Sequence, residues 1–360
     1  MRLVSFLEAG DERLGMLSDG RVVDALACAR HRGIDSRLVS DLTAAIDAVA
    51  RGKLDLKTLF AAAPPDAVRD ASSVTLSAPM RPSTILCAGS NYRAHNLEKA
   101  NTLLSGKEPE FFVKTADCVI GPSEAIVHDE ELTRKLDCET ELAVVIGKPG
   151  RHIPVERALD HVFGYTIVND VTARDRQVRS APDGFVWYEL GRGKAFDTSA
   201  PLGPAVVTAD EVVDPQSLQI SMRINGELRQ NSSTADMIWS CAELIHFFST
   251  NFTLRPGMVI ITGSPAGTAW STDRELGGTW TPAPGLVAAS RYCLPGDLVE
   301  CEIEKIGVLM NPITTSATTA LDVAGRAEQI KDATRSTCGR SLPSPTHAVI
   351  DSAARAACSG

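Results

Sequence analysis

The chain has 360 residues, 44% hydrophobic and 22% charged, with a net charge of -9, which excludes the low-hydrophobicity, highly charged signature of a disordered protein. The negative balance, with no basic run interleaved with aromatics, argues against nucleic acid as a partner. The longest apolar stretches, such as Ala143 to Ile146 and Met258 to Ile261, fall far short of the ~20 residues a membrane-spanning helix needs, so no membrane partner is expected.

Taken in chain order, the apolar runs Leu3 to Leu7, Leu14 to Leu17 and Val22 to Val23, set between Gly and Asp turn residues, predict two or three strands. Helical spacing follows over Leu38 to Ala50 and Leu54 to Ala62. The Pro-rich stretch from Ala63 to Pro82 reads as a linker, so residues 1-75 are expected to form a small N-terminal αβ domain. Strand-like runs then recur: Thr84 to Ala88, Phe111 to Lys114, Glu141 to Gly147, Gly164 to Asp170, Ala205 to Thr208, Leu218 to Ile224, Met258 to Thr262 and Leu298 to Ile306. Asn225-Gly226 is a hairpin signal, and Asp236 to Thr250 is the clearest helical segment. The expected class is α+β and β-rich, with a catalytic domain over 76-314. Residues 315-360, rich in Ala, Ser and Thr, are expected to be a disordered or loosely attached tail. Nine cysteines scattered without a CxxC pair, and no charged-then-apolar leader after Met1, lead us to expect a reducing, cytoplasmic location.

Three windows carry chemistry. In Asp137-Cys138-Glu139-Thr140-Glu141 the two glutamates stand two apart at the mouth of an apolar strand, so they share a face. Either they are ordinary acids on a solvated edge or a hard divalent cation neutralises them. Cys138 falls on the other face and reads as core rather than ligand. In Gly164 to Gln177 an apolar strand ends at Asp170, and Arg174 and Gln177 follow at a helical spacing that would place them on one face able to grip an anionic substrate. The plainer alternative makes Asp170 a helix N-cap with Arg174 paired locally. In Gly89 to Glu98, His95 and Glu98 stand at i and i+3, where a carboxylate can set the basicity of a histidine able to activate water. A structural histidine is the alternative.

These windows occur together with Phe111-Phe112-Val113-Lys114, Gly193 to Thr198, Ile224 to Glu227, Ile261 to Gly267 and Pro295-Gly296-Asp297, and their order resembles that of the fumarylacetoacetate hydrolase family over residues 84 to 313. Acylpyruvases, fumarylpyruvate hydrolases and 2-hydroxyhepta-2,4-diene-1,7-dioate isomerases are the members most similar. The resemblance implies a distorted β-roll core, a homodimer, and Mg2+ or Mn2+ held by Glu139, Glu141 and Asp170. It implies that His95 and Glu98 form the water-activating dyad, that Gln177 and Lys194 contact the metal-bound oxo acid with the Lys194 cation able to stabilise an enolate, that Ser264 holds the substrate carboxylate, and that Arg174 either touches the substrate or braces the site. Ser264 replaces the family's usual threonine, Gly267-Thr268-Ala269 replaces Gly-Val-Gly, and the excursion Trp270 to Tyr292 is longer than expected.

The expected function is metal-dependent hydrolysis of a carbon-carbon bond in a small 2,4-dioxo acid. Tautomerisation or decarboxylation of a related 2-oxo acid is the alternative, since both pass through an enolate that a Lewis-acidic metal stabilises. A non-catalytic binding protein on the same fold is the third reading.

Overall fold

The strand Thr140–Ile146 explains the architecture: all seven residues are buried, which requires cover on both faces. Side chains alternate, so Leu142, Val144 and Ile146 enter one apolar core and Ala143 and Val145 enter another. Each full burial of a Val, Leu or Ile contributes about 1.5–3 kcal/mol, so a charge placed at Val144 would unseat the strand. The computed structural model describes residues 1–98 and 108–316, all within one unit, Met1–Val323. The expected tail lies, from residue 317, outside the described residues.

Among the described residues the main sheet runs Val68–Asp70, Arg21–Asp24, Asp11–Ser18, Arg2–Glu8, Ala200–Thr208, Val162–Asn169, Thr140–Ile146, Val259–Ile261, Ile85–Gly89, Glu110–Lys114. Neighbours are antiparallel except for Val259–Ile261 against Ile85–Gly89. A second sheet, Glu227–Ser233, Gln219–Ile224, Leu298–Ile303, Gly307–Thr315, Ile126–His128, covers one of its faces. Asn225 and Gly226 both take positive φ (54° and 81°) in the expected hairpin, the conformation that matches strand twist.

The N-terminal strands continue the main sheet through Arg2↔Val207 and Leu3↔Val206, and Leu3, Leu42 and Ile46 share a core with Val145 and Ile261. The sheet is therefore continuous across the linker near residue 75. Helices prove shorter than their periodicity suggests because caps intervene. The Asp41 carboxylate accepts from Ala44 N at 2.8 Å and starts the helix Leu42–Ala50. Ser240 and Glu243 form a capping box that delays the expected 236–250 helix to Cys241–Asn251. No helix among the described residues is long and apolar enough to cross a membrane.

Candidate active site

The site forms where the start of one strand meets the end of its neighbour. Glu141 enters it from Thr140–Ile146, with Glu139 just before that strand; Asp170 follows the end of Val162–Asn169. One carboxylate oxygen from each of the three lies within 4.8 Å of the others, and all three residues are buried. The cavity they line also takes His95, Arg174, Gln177, Lys194 and Ser264 in its wall. Glu98 stands behind His95, its Oε2 2.6 Å from Nδ1. The structure thus brings together every residue singled out in the sequence.

The short helix Arg93–Asn96 aims the dyad: His95 Nε2 is 3.9 Å from Glu139 Oε1. Glu98 Oε1 accepts from Gly267 N, and the Thr279 N–H donates to Glu98 O at 2.8 Å. The long excursion from Trp270 therefore latches the His95–Glu98 segment. Gly267, at φ 113°, packs so closely that a Cβ would lie 1.9 Å from Arg229 O, so only glycine fits.

Asp170 is no helix N-cap. Its Oδ2 meets Lys194 Nζ at 2.6 Å and its Oδ1 lies 2.9 Å from Lys114 Nζ, while the helix Arg174–Gln177 starts after Ala173 without a side-chain cap. Arg174 braces the site: it donates to Asp137 Oδ2 at 2.8 Å, Glu139 Oε1 at 2.5 Å and Gln177 Oε1 at 2.9 Å, and stacks 5.0 Å from the Trp270 ring. Ser264 Oγ accepts from Gln230 Nε2 at 2.8 Å, which fixes the loop. Cys138 is buried core, its Sγ 3.9 Å from Cys293 Sγ.

Two members of the site had no role assigned from the sequence. Asp137 anchors Arg174 and also accepts the backbone N–H groups of Ala269 and Trp270 at 3.0 and 3.1 Å. Lys114, fully buried, donates to Ser199 O at 2.8 Å and to Lys194 O. Period-2 alternation held both signals. Asp137, Glu139 and Glu141 are spaced two apart, as are Glu110, Phe112 and Lys114.

Electrostatics identify what the site is built to hold. Five buried carboxylates, Glu98, Asp137, Glu139, Glu141 and Asp170, face three buried cations, Lys114, Arg174 and Lys194. His95 aside, the cluster is short of two positive charges. Burial tends to raise the Glu139 carboxyl, but Arg174, Lys194 and His95 override it and hold it well below the usual range. Glu141 makes no ion pair among the described residues: burial, then the charges of Asp170 and Glu139, push its carboxyl well up, against the charge of Lys194 and one N–H from Gly263 at 2.7 Å. Burial lowers the Lys194 ammonium, yet Asp170 and Glu139 carry it to about 12. A divalent ion would cancel the deficit, and an all-oxygen donor set fits a hard cation of the Mg2+ or Mn2+ kind.

This fold and this carboxylate trio define an enzyme of the β-roll class that handles small organic acids. A family model described as fumarylacetoacetate (FAA) hydrolase C-terminal matches residues 84–314, and the chain belongs to the fumarylacetoacetate hydrolase family, with its distorted β-roll core. It is 42% identical over 243 residues to a mitochondrial oxaloacetate tautomerase, fahd2, of Xenopus laevis, covering 67% of this chain and 69% of that protein. It is 41% identical over 244 residues to the oxaloacetate tautomerase YisK of Bacillus subtilis (strain 168), covering 67% and 74%. Among solved structures it resembles maleylpyruvate hydrolase from Sphingobium sp. SYK-6 in complex with manganese (II) ion and pyruvate. That likeness has a TM-score of 0.64 and 26% identity, over 88% of this chain and 99% of that one.

Proposed function

We propose that the chain is a divalent-metal-dependent tautomerase of a small 2-oxo diacid of the oxaloacetate type. The observation that carries this reading is the aim of His95, whose Nε2 faces the carboxylate trio while Nδ1 is held by Glu98. The two relatives at 41% and 42% identity support tautomerisation over the hydrolysis that leads on motif order alone.

Glu139, Glu141 and Asp170 would hold the ion, which when bound supplies Lewis-acid polarisation of the 2-keto group and acidifies the neighbouring C–H. His95 takes the C3 proton at Nε2, and Glu98 stabilises the imidazolium through Nδ1. The same proton returns to the C2 oxygen, so the reaction is an isomerisation with no water consumed. Lys194 adds positive charge where the enolate oxygen develops. Arg174 holds Glu139 in place, and Gln177 and Ser264 supply polar groups for the substrate carboxylates. Hydrolysis is a second reading, favoured by the 2.6 Å His95–Glu98 pair, which could equally activate water.

The test follows the ultraviolet decay of enol-oxaloacetate, with an acylpyruvate assayed in parallel for released pyruvate. Acceleration of tautomerisation that is lost on chelation, and that falls about 10²-fold or more in His95→Asn, supports the proposal. Pyruvate release with uncatalysed tautomerisation replaces it with the hydrolase. Assembly as a homodimer belongs to the same proposal, and sedimentation of the purified chain tests it.

A further inference from the structure

A second cavity lies against the loop that walls the candidate active site. Gly263 and Ser264 face the first chamber and Gly267 the second. The second cavity opens about 130 Å³ to water centres, room for a few waters or a small oxyanion. One wall is the strand Glu227–Ser233, which presents Gln230 to the active-site loop and Arg229 to this cavity. The other is the end of the long excursion, Ala289 to Cys293.

Arg229 is the unusual member. It is only 7% exposed, and one nitrogen, Nη2, is paired with Glu227 at 2.7 Å. Its Nε and Nη1 are buried and have no hydrogen-bond partner. Leaving charged donors buried and unmet is costly, so such a group points to an acceptor that belongs there. The neighbouring charges do not supply it. Asp297 is saturated by Arg291 Nη1 and Nη2 at 2.7 and 2.8 Å, Asn225 Nδ2 at 2.8 Å and Leu294 N at 2.8 Å. Glu227 is half-exposed and already spent on Nη2. What remains is a concave site with Arg229 in its wall, two unmet guanidinium donors buried in that wall, and the polar residues Asn225 and Ser290 among its lining.

We propose that this cavity binds a small oxyanion, a carboxylate or a phosphate, on Arg229. Guanidinium is suited to both, because charge-assisted N–H···O bonds to either anion are short and strong. The site is separate from the carboxylate trio and does not depend on which reaction the chain catalyses.

Calorimetry and thermal unfolding of the Mg2+-saturated full chain, titrated with inorganic phosphate and separately with succinate, test it. At least one anion should bind wild type and raise its Tm. Arg229→Met should weaken that binding at least about tenfold while Mg2+ titration stays unchanged. Which anion responds separates the phosphate source from the carboxylate one. Ala289→Trp, which fills the cavity and leaves Arg229 in place, should abolish the same response and serves if the arginine variant does not fold. The proposal is overturned by equal responses in wild type and variants, by no response to either anion, or by wild type sedimenting as a dimer that Arg229→Met dissociates. In that last case the acceptor comes from a second copy of the chain.

Discussion

The chamber around Glu139, Glu141 and Asp170 and the cavity around Arg229 share the loop Gly263 to Gly267, yet they are unbalanced in opposite senses. The first holds five buried carboxylates against three cations; the second pairs its charges and leaves two guanidinium donors unmet. The difference teaches that a binding site can be read from what its own residues fail to satisfy: an excess of negative charge in one case, an excess of donors in the other. Glu141→Gln puts the first half of that comparison under the heaviest load, because on the proposed reading it removes a metal ligand and one unit of the deficit together. Mn2+ affinity by calorimetry should fall more than about 100-fold, beyond the range typical of outer-shell partners, and turnover should fall with it. Without metal the variant should be as stable as wild type or more so, since glutamine mimics the protonated form toward which burial and its neighbours already push Glu141. Wild-type affinity in the variant would break the comparison.

A smaller effect is expected one contact further out. Asp137 touches none of the trio directly in its ion pairing; it holds Arg174, which holds Glu139. Asp137→Asn leaves the deficit smaller by one charge but loosens the arginine. Metal affinity should drop by about 10–100-fold, the usual cost of losing an outer partner. If positioning is its role, Asp137→Glu should restore part of that affinity. Loss in the asparagine variant without any rescue would mean that charge, not orientation, is what Asp137 provides.

Much of this chamber was legible in the sequence because strands convert spacing into position. Glu139 and Glu141 two apart must share a face, and the apolar run after Glu141 required burial, so a paired cost of desolvation followed from five residues. His95 and Glu98 were legible as an i, i+3 pair. Asp137 and Lys114 were harder, since their roles depend on residues more than thirty positions away: Arg174 for one, Ser199 and Lys194 for the other. The continuity of the sheet across the Pro-rich linker was hidden for the same reason, as it rests on Arg2 meeting Val207. Helix lengths were overestimated where periodicity ran on but Asp41 and Ser240 capped the backbone. The Arg229 cavity left no local trace, because an arginine in a strand pattern reads as solvated until its neighbours close over it.

The second cavity can be probed through pH without touching Arg229. Asp297 shapes its wall, and although burial raises its carboxyl, the hydrogen bonds from Arg291, Leu294 N and Asn225 carry it down to about 2. An unfolded aspartate titrates near ~3.9. A depressed folded value means that the unfolded chain takes up protons first, so the stabilisation is fully present above about pH 4 and is lost as pH falls through about 2. Because Arg291 is 48% exposed, solvent screening reduces the gain to about 1 kcal/mol. Asp297→Asn should therefore lower stability by about that amount at neutral pH and flatten the acid limb of a stability profile between pH ~4 and ~2. If the variant's acid limb matched that of wild type, Asp297 would not be the group that keeps this wall neutral, and Arg229 would have a competing acceptor within its own cavity.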